Sequence, residues 1–149
     1  MKKIIKFCSF FVFIFFVYSK KIIAQNYVKE NINQSIWVPS KNEEFEFKIS
    51  DTTQNILNLI FEMGFKDSAV VYLNDSIIYK TKIVSFRSVV NKEFAINYKD
   101  IKHPVVKIIL FEKKKCISFY PLEGYGICYI TRSGDEWFLE YSNYQRLYY

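Results

Sequence analysis

Short runs of β-branched and aromatic residues, each closed by a turn signal, recur along this chain and constrain its fold more than any other feature. Four runs fill the C-terminal third: Val105–Glu112, Cys116–Tyr120, Gly126–Thr131 and Glu136–Tyr141. A triple lysine, a Pro-Leu-Glu-Gly segment and an Arg-Ser-Gly-Asp segment separate them, as is typical of turns between strands. The C-terminal third is therefore predicted to be β-sheet.

The same pattern occurs earlier in the chain. Ala69–Leu73 and Ser76–Ile83 flank an Asn-Asp dipeptide, which predicts a hairpin with a two-residue turn. Apolar and polar residues alternate over 44–49 and 94–98, which indicates half-exposed strands. Residues 36–38 precede a proline and suit a short edge strand.

Residues 54–63 fit two structures. Their apolar residues fall at helical spacing, and capping residues stand on both sides. In a strand, Leu57, Leu59, Phe61 and Met63 would face inward instead. Because the neighbouring segments are β, we predict a strand here.

Eight or nine short strands predict an all-β fold, with an antiparallel β-sandwich of immunoglobulin-like architecture as the natural arrangement. The segment 25–149 has no linker, low-complexity block or repeat. Its 125 residues suit one domain that is large enough to bury a core without the help of disulfide bonds or metal sites. The resemblance to immunoglobulin-like sandwiches is one of architecture and implies no activity.

Strand registers assign the C-terminal residues to two faces. One face contains no charge and is the predicted core: Val106, Ile108, Leu110, Cys116, Cys128, Ile130, Trp137 and Leu139. The opposite face is unusually aromatic, and its candidate binding residues are Phe111, Phe119, Tyr129 and Phe138. Either a second layer covers part of this face or the face is a binding surface.

The registers also predict a disulfide between Cys116 and Cys128. A hairpin turn centred on Leu122 would place the two residues directly opposite each other on adjacent strands, where Cβ atoms lie about 4.5 to 5.5 Å apart. Such a bond would stabilise the fold by roughly 3 kcal/mol, because it closes a loop in the unfolded chain. The alternative is two buried free thiols that pack as small apolar groups.

The first twenty-four residues resemble a secretory signal peptide. Lys2, Lys3 and Lys6 precede a run without charge, 7–19, that contains six phenylalanines, and Ala24 closes the segment. We expect cleavage between Ala24 and Gln25 and a protein that is exported to the periplasm or the extracellular space. A retained membrane anchor is the alternative, but a lysine pair ends the apolar run short of the roughly 20 residues that a spanning helix needs. The membrane is a partner only if this segment stays uncleaved.

Removal of the signal changes the charge of the chain. The full chain has 21 basic and 15 acidic residues, and five of the lysines lie in 1–24. The mature chain would carry 16 basic and 15 acidic residues, a net charge near +1. Nucleic-acid binding needs a sustained basic field, so no nucleic-acid partner is expected.

Catalytic and metal-binding patterns are sparse. His103 is the one histidine of the chain, and no spacing pairs it with an activated serine or cysteine. Cys116, Cys128 and His103 lack the clustered spacing of a zinc site, and no calcium loop or glycine-rich phosphate loop occurs. No catalytic residue, metal ligand or cofactor is therefore predicted, although two carboxylates from distant strands would suffice for a glycosidase.

Aromatic residues are concentrated at 119–149, and tyrosine and tryptophan combine contact area with a polar group. We expect an exported, non-catalytic module that binds a protein or carbohydrate of the cell envelope through this aromatic surface. The alternative is a small secreted hydrolase or enzyme inhibitor. An exposed aromatic patch without a cleft would favour the first function, and a pocket of convergent polar groups with shifted pKa values would favour the second.

Overall fold

The computed structural model describes residues 27–49, 53–85 and 92–148. Within these ranges the chain forms β-strands and no helix, as predicted. The strands are β1 (Val28–Lys29), β2 (Asn31–Ile36), β3 (Phe45–Lys48), β4 (Ile56–Phe61), β5 (Lys66–Leu73), β6 (Ser76–Val84), β7 (Lys92–Asn97), β8 (Val106–Leu110), β9 (Lys115–Phe119), β10 (Ile127–Ser133), β11 (Glu136–Ser142) and β12 (Tyr144–Arg146). The predicted signal segment 1–24 and its cleavage site lie outside the described residues.

Two five-stranded sheets pack together in a sandwich-like arrangement. Sheet one has the order β1-β9-β8-β5-β6, and sheet two has the order β2-β11-β10-β4-β7. The prediction that all strands are antiparallel is wrong, because β1 pairs parallel with β9, β2 with β11, and β4 with β10. Both sheets are mixed. In the described part of the chain, no helix has the length and apolar character needed to cross a membrane.

The core lies between the two sheets. Its residues include Val106, Ile108 and Leu110 from sheet one, and Ile130, Trp137 and Leu139 from sheet two. All six are fully buried, which confirms the predicted core face of these strands. 

Residues 56–61 form a strand, as predicted, with Leu57, Leu59 and Phe61 in the core. Met63 was expected to face inward as well, but the strand ends before it and half of its surface is exposed. The Asn74-Asp75 hairpin is also confirmed, since Leu73 pairs with Ser76.

The register of the β8–β9 hairpin differs from the prediction. Leu110 pairs with Lys115, which turns Ile117 and Phe119 into the core and Cys116 onto the other face. The turn sets this register. The buried Asp67 carboxylate accepts the backbone N–H of Glu112 at 2.8 Å and of Lys113 at 3.0 Å, and thereby holds the four residues of the turn in place.

The hairpin predicted between Cys116 and Cys128 is wrong. Strands β9 and β10 belong to different sheets, and the segment between them carries the chain from sheet one to sheet two. Cys116 lies opposite Ile109, and Cys128 lies opposite Tyr141. Both cysteines are buried free thiols, the alternative considered from the sequence. Desolvation by burial raises the pKa of the Cys128 thiol, so this thiol is unreactive at neutral pH.

The sequence predicts a β10–β11 turn centred on Ser133 and Gly134, and the observed turn lies one residue later. Ser133 pairs with Glu136 across a Gly134-Asp135 turn. The resulting shift in register is even, so every side chain keeps its predicted face.

Candidate functional site

The four predicted binding residues do not form one surface. Phe119 lies in the core and Tyr129 is buried on the outer face of sheet two. Phe138 is half-buried on β11, and Phe111 is 40% exposed in the turn after β8. The aromatic face predicted from the sequence is therefore divided between two sheets.

A second layer covers part of the outer face of sheet two. Strands β3 and β12 form a separate two-stranded sheet. From β12, the Arg146 guanidinium lies 4.2 Å from the ring centre of Tyr129 and 4.6 Å from that of Trp37. The Tyr129 hydroxyl donates to the Tyr144 carbonyl and accepts from the Arg146 backbone N–H, each at 2.8 Å. Covering strands, not a ligand surface, thus account for this aromatic region.

Arg146 is the centre of a polar cluster, and with Trp37 it also lines an open cavity of about 410 Å³. Its guanidinium donates to Glu62 at 2.9 Å and to Glu140 at 2.8 Å, and the Tyr148 hydroxyl donates to Glu62 at 2.7 Å. Burial raises the pKa of Tyr129 to about 12. These contacts hold β12 against sheet two.

A second polar cluster, with a buried carboxylate at its centre, surrounds Glu30, where the chain passes from sheet one into sheet two. The Glu30 carboxylate accepts from the Arg132 side chain at 3.0 and 2.8 Å and from the Trp137 indole N–H at 2.6 Å, and it pairs with Lys115 at 3.2 Å. Burial alone would raise the pKa of Glu30, but these donors outweigh it and lower the pKa to about 2. The carboxylate is ionised and fully used by the fold.

The opposite end of the sandwich holds an open cavity of about 230 Å³. Three loops line it: the residues before β4, the β7–β8 connection and the β9–β10 connection. The lining residues are Asn55, Tyr98, Ile101, Lys102, His103, Pro104, Tyr120, Pro121 and Glu123. We call this region the loop-end site.

The loops of this site are held by hydrogen bonds from the framework. The Asn143 side chain accepts the Gly126 N–H and donates to the Gly124 carbonyl, both at 2.8 Å. The Tyr141 hydroxyl donates to the Tyr120 carbonyl at 3.3 Å. On the other side, the Tyr98 N–H donates to the Asn55 carbonyl at 2.9 Å. The site is therefore preorganised.

Tyr120 projects from this fixed backbone with 68% of its surface exposed. Two turn signals recognisable in the sequence, Pro121 and Gly124, follow it, and Gly124 has a positive φ of 83°. An aromatic side chain left in solvent on a rigid loop offers contact area at a low entropic cost to a partner.

The titratable residues of the site differ in environment. Burial, and then the nearby Glu123 carboxylate, raise the pKa of Tyr98. Lys102 and His103 are exposed. Among the residues that the structure describes, no hydrogen bond joins His103 to a hydroxyl, thiol or carboxylate, and no group of three or more His, Cys, Asp or Glu side chains is placed to hold a metal ion. The site combines aromatic surface with donors and acceptors, and its described contacts contain no assembled triad.

The chain matches no protein-family model, no curated protein and no solved structure.

The sequence singled out Tyr120 only as one of many C-terminal aromatic residues. Its loop was interpreted as a tight hairpin, and the contribution of the β7–β8 connection was missed. The turn residues at 121–124 and the His-Pro pair at 103–104 were the available signals, because loops on a rigid sandwich commonly carry function.

Proposed function

We propose that this protein is an exported, non-catalytic β-sandwich that binds another component of the cell envelope or the extracellular space. The binding surface is the loop-end site, not the face first predicted from the sequence. The exposure of Tyr120 on a fixed loop beside an open cavity is the observation that carries the proposal. Tyrosine is enriched in binding surfaces because one flat ring supplies both apolar contact and a hydroxyl.

The size of the cavity supports a macromolecular partner. Small-molecule pockets commonly measure about 300–1,000 Å³ and enclose most of their ligand. This cavity of about 230 Å³ is smaller and open. It suits one protruding group, such as a single sugar ring of a glycan or one side chain of a protein, while Tyr120 contacts the surface beside it.

Export rests on the N-terminal segment. Its basic start, its apolar run and Ala24 are the three parts of a secretory signal. An exported domain with a net charge near zero and a preorganised aromatic loop is suited to a partner outside the cytoplasm.

A secreted hydrolase is the second candidate, and the convergence of Lys102, His103 and Glu123 on one cavity favours it. A hydrolase would need one of these residues in proton transfer. Replacement of His103 by alanine separates the two functions. A hydrolase that uses the imidazole would lose turnover, whereas a binding module catalyses no reaction.

The test is binding of the purified full chain to envelopes isolated from the cells that produce it. Wild type should sediment with the envelopes in a saturable manner, and Tyr120→Ala should lose most of this binding. Met63→Ala is the matched control, since Met63 is exposed at the opposite end of the sandwich. Equal binding by wild type and Tyr120→Ala would contradict the proposal.

The same envelopes test the hydrolase. Soluble fragments released by wild type and not by His103→Ala would establish the hydrolase in place of the binding module. Treatment of the envelopes with protease or with glycosidases before the binding step identifies the partner as a protein or a glycan.

A further inference from the structure

Strand β2 is an edge strand of sheet two with one free side. It pairs only with β11 in the described part of the chain, and five of its six residues are exposed. The Trp37 N–H, directly after β2, donates to the Tyr141 carbonyl of β11 at 2.9 Å. Backbone groups alternate in direction along a strand that pairs in parallel. The N–H and C=O groups of Ile32, Gln34 and Ile36 therefore point away from β11.

The free edge of β2 lacks the charges that protect the other long edges of the sandwich. Strand β6 carries Lys80 and Lys82, and β7 carries Glu93. From Asn31 to Pro39 the chain has no charged residue. Natural proteins block exposed edges with charged side chains, and an uncharged edge is a template for strand addition.

The sequence of β2 is complementary to itself in one antiparallel register. If two copies pair about a twofold axis through Gln34, Ile32 of each copy lies opposite Ile36 of the other. The three outward-facing residues then face one another, so each opposed pair exchanges two backbone hydrogen bonds, six in all. A shift by one residue would place outward-facing groups opposite inward-facing ones and lose these bonds.

The side chains fit the same register. Ile32, Gln34 and Ile36 lie on one face of β2, since they pair with Trp137, Leu139 and Tyr141 of β11. The twofold axis thus brings apolar side chains opposite each other, with an amide pair at the centre. Ile36 and the following Val38 are more than half exposed in the single chain and would lose solvent contact in the pair.

We propose that β2 is a homodimerisation edge, at which two copies of this chain join their second sheets into one ten-stranded sheet. Like-charge repulsion does not oppose the pairing, because the segment is uncharged. A strand pair of six residues is small beside a standard interface, so the dimer forms reversibly and depends on concentration.

Sedimentation equilibrium of the full chain over a wide range of concentrations tests the dimer. The average mass should rise with concentration from that of one chain towards twice that value. Gln34→Lys places two cations opposite each other and should raise the dimer dissociation constant about tenfold or more. Gln34→Pro removes an outward N–H without removing a bond to β11, and it should have the same effect. Thr81→Lys on the β6 edge adds the same charge and should leave the dimer unchanged.

A crosslink tests the register. Gln34→Cys places two thiols directly opposite each other, whereas two cysteines at position 35 are offset by two residues. Oxidation should therefore give a covalent dimer of Gln34→Cys and little of Ser35→Cys. A chain that stays monomeric, a dimer that resists both Gln34 substitutions, or equal crosslinking at both positions would overturn the proposal.

Discussion

The Glu30 carboxylate, at one end of the sandwich, is surrounded by Arg132, Trp137 and Lys115 and joins both sheets. At the opposite end, Lys102 and His103 face solvent around an open cavity. The polar groups around Glu30 are hydrogen-bonded within the fold, whereas Lys102 and His103 are exposed to solvent. Charged residues thus stabilise the fold where they are enclosed, and we propose that they serve binding where they are open.

Replacement of Glu30 by glutamine should have the largest effect on stability. The neutral amide leaves Arg132 buried without its carboxylate, and breaking such a pair typically costs about 3 to 5 kcal/mol. Urea denaturation should show this loss in the free energy of unfolding. Asp135→Asn is the control, since this partner of Arg132 is mostly exposed and should cost less than about 1 kcal/mol. Equal losses in the two variants would show that Glu30 is not the centre of the cluster.

Acid should reduce the contribution of the Glu30 cluster to the free energy of unfolding. The pKa of Glu30 is about 2 in the fold, against an ordinary value of 4.5. A lowered pKa stabilises the fold above pH 4.5, and the contribution, about 3 kcal/mol, is lost as the pH falls from 4.5 towards 2. Unfolding measured at pH 7, 5 and 3 should therefore show a steeper acid loss in wild type than in Glu30→Gln. Parallel pH profiles would contradict this assignment.

Replacement of Asn143 by alanine should lower the stability of the fold and weaken binding at the loop-end site. The variant loses the hydrogen bonds to Gly124 and Gly126, at a cost of about 1 to 2 kcal/mol. Because the loop is then less preorganised, envelope binding should also weaken. Asn143→Asp keeps the acceptor for the Gly126 N–H and should lie between alanine and wild type in both measurements. A loss of stability without any loss of binding would show that Asn143 does not support binding at the loop-end site.

Replacement of Tyr120 by alanine should have the smallest effect on stability. The side chain is exposed, and surface substitutions usually change the free energy of unfolding by less than about 0.5 kcal/mol. Envelope binding should nevertheless fall sharply. Thermal unfolding measured alongside sedimentation with envelopes separates the two effects, and a large drop in melting temperature would mean that Tyr120 belongs to the framework.

Local sequence signals predicted the strands and the core between the sheets. Alternation and β-branched residues identified Ile108, Ile130 and Trp137 as core residues because these signals act over a few neighbouring positions. The parallel pairings of β1 with β9 and of β2 with β11 join residues 87 and 105 positions apart, and no local signal specifies them.

The loop-end site was not predictable for a related reason. Its position depends on the β9–β10 connection crossing between sheets, whereas Pro121 and Gly124 are equally compatible with a tight hairpin. The same misinterpretation produced the disulfide prediction. The hairpin turn predicted at Leu122 therefore accounts for both the missed site and the misplaced Cys116–Cys128 pair.

We propose that the loop-end site contacts a partner in the native setting. Site-specific photocrosslinking tests it most directly, with a photoreactive phenylalanine placed at position 120 or at position 63 of the full chain in the cells that produce it. Because the probe is aromatic, it preserves the contact surface of Tyr120 while reporting the adjacent molecule. We expect a discrete adduct from position 120 and none from position 63. No adduct at 120, or the same adducts from both positions, would contradict it.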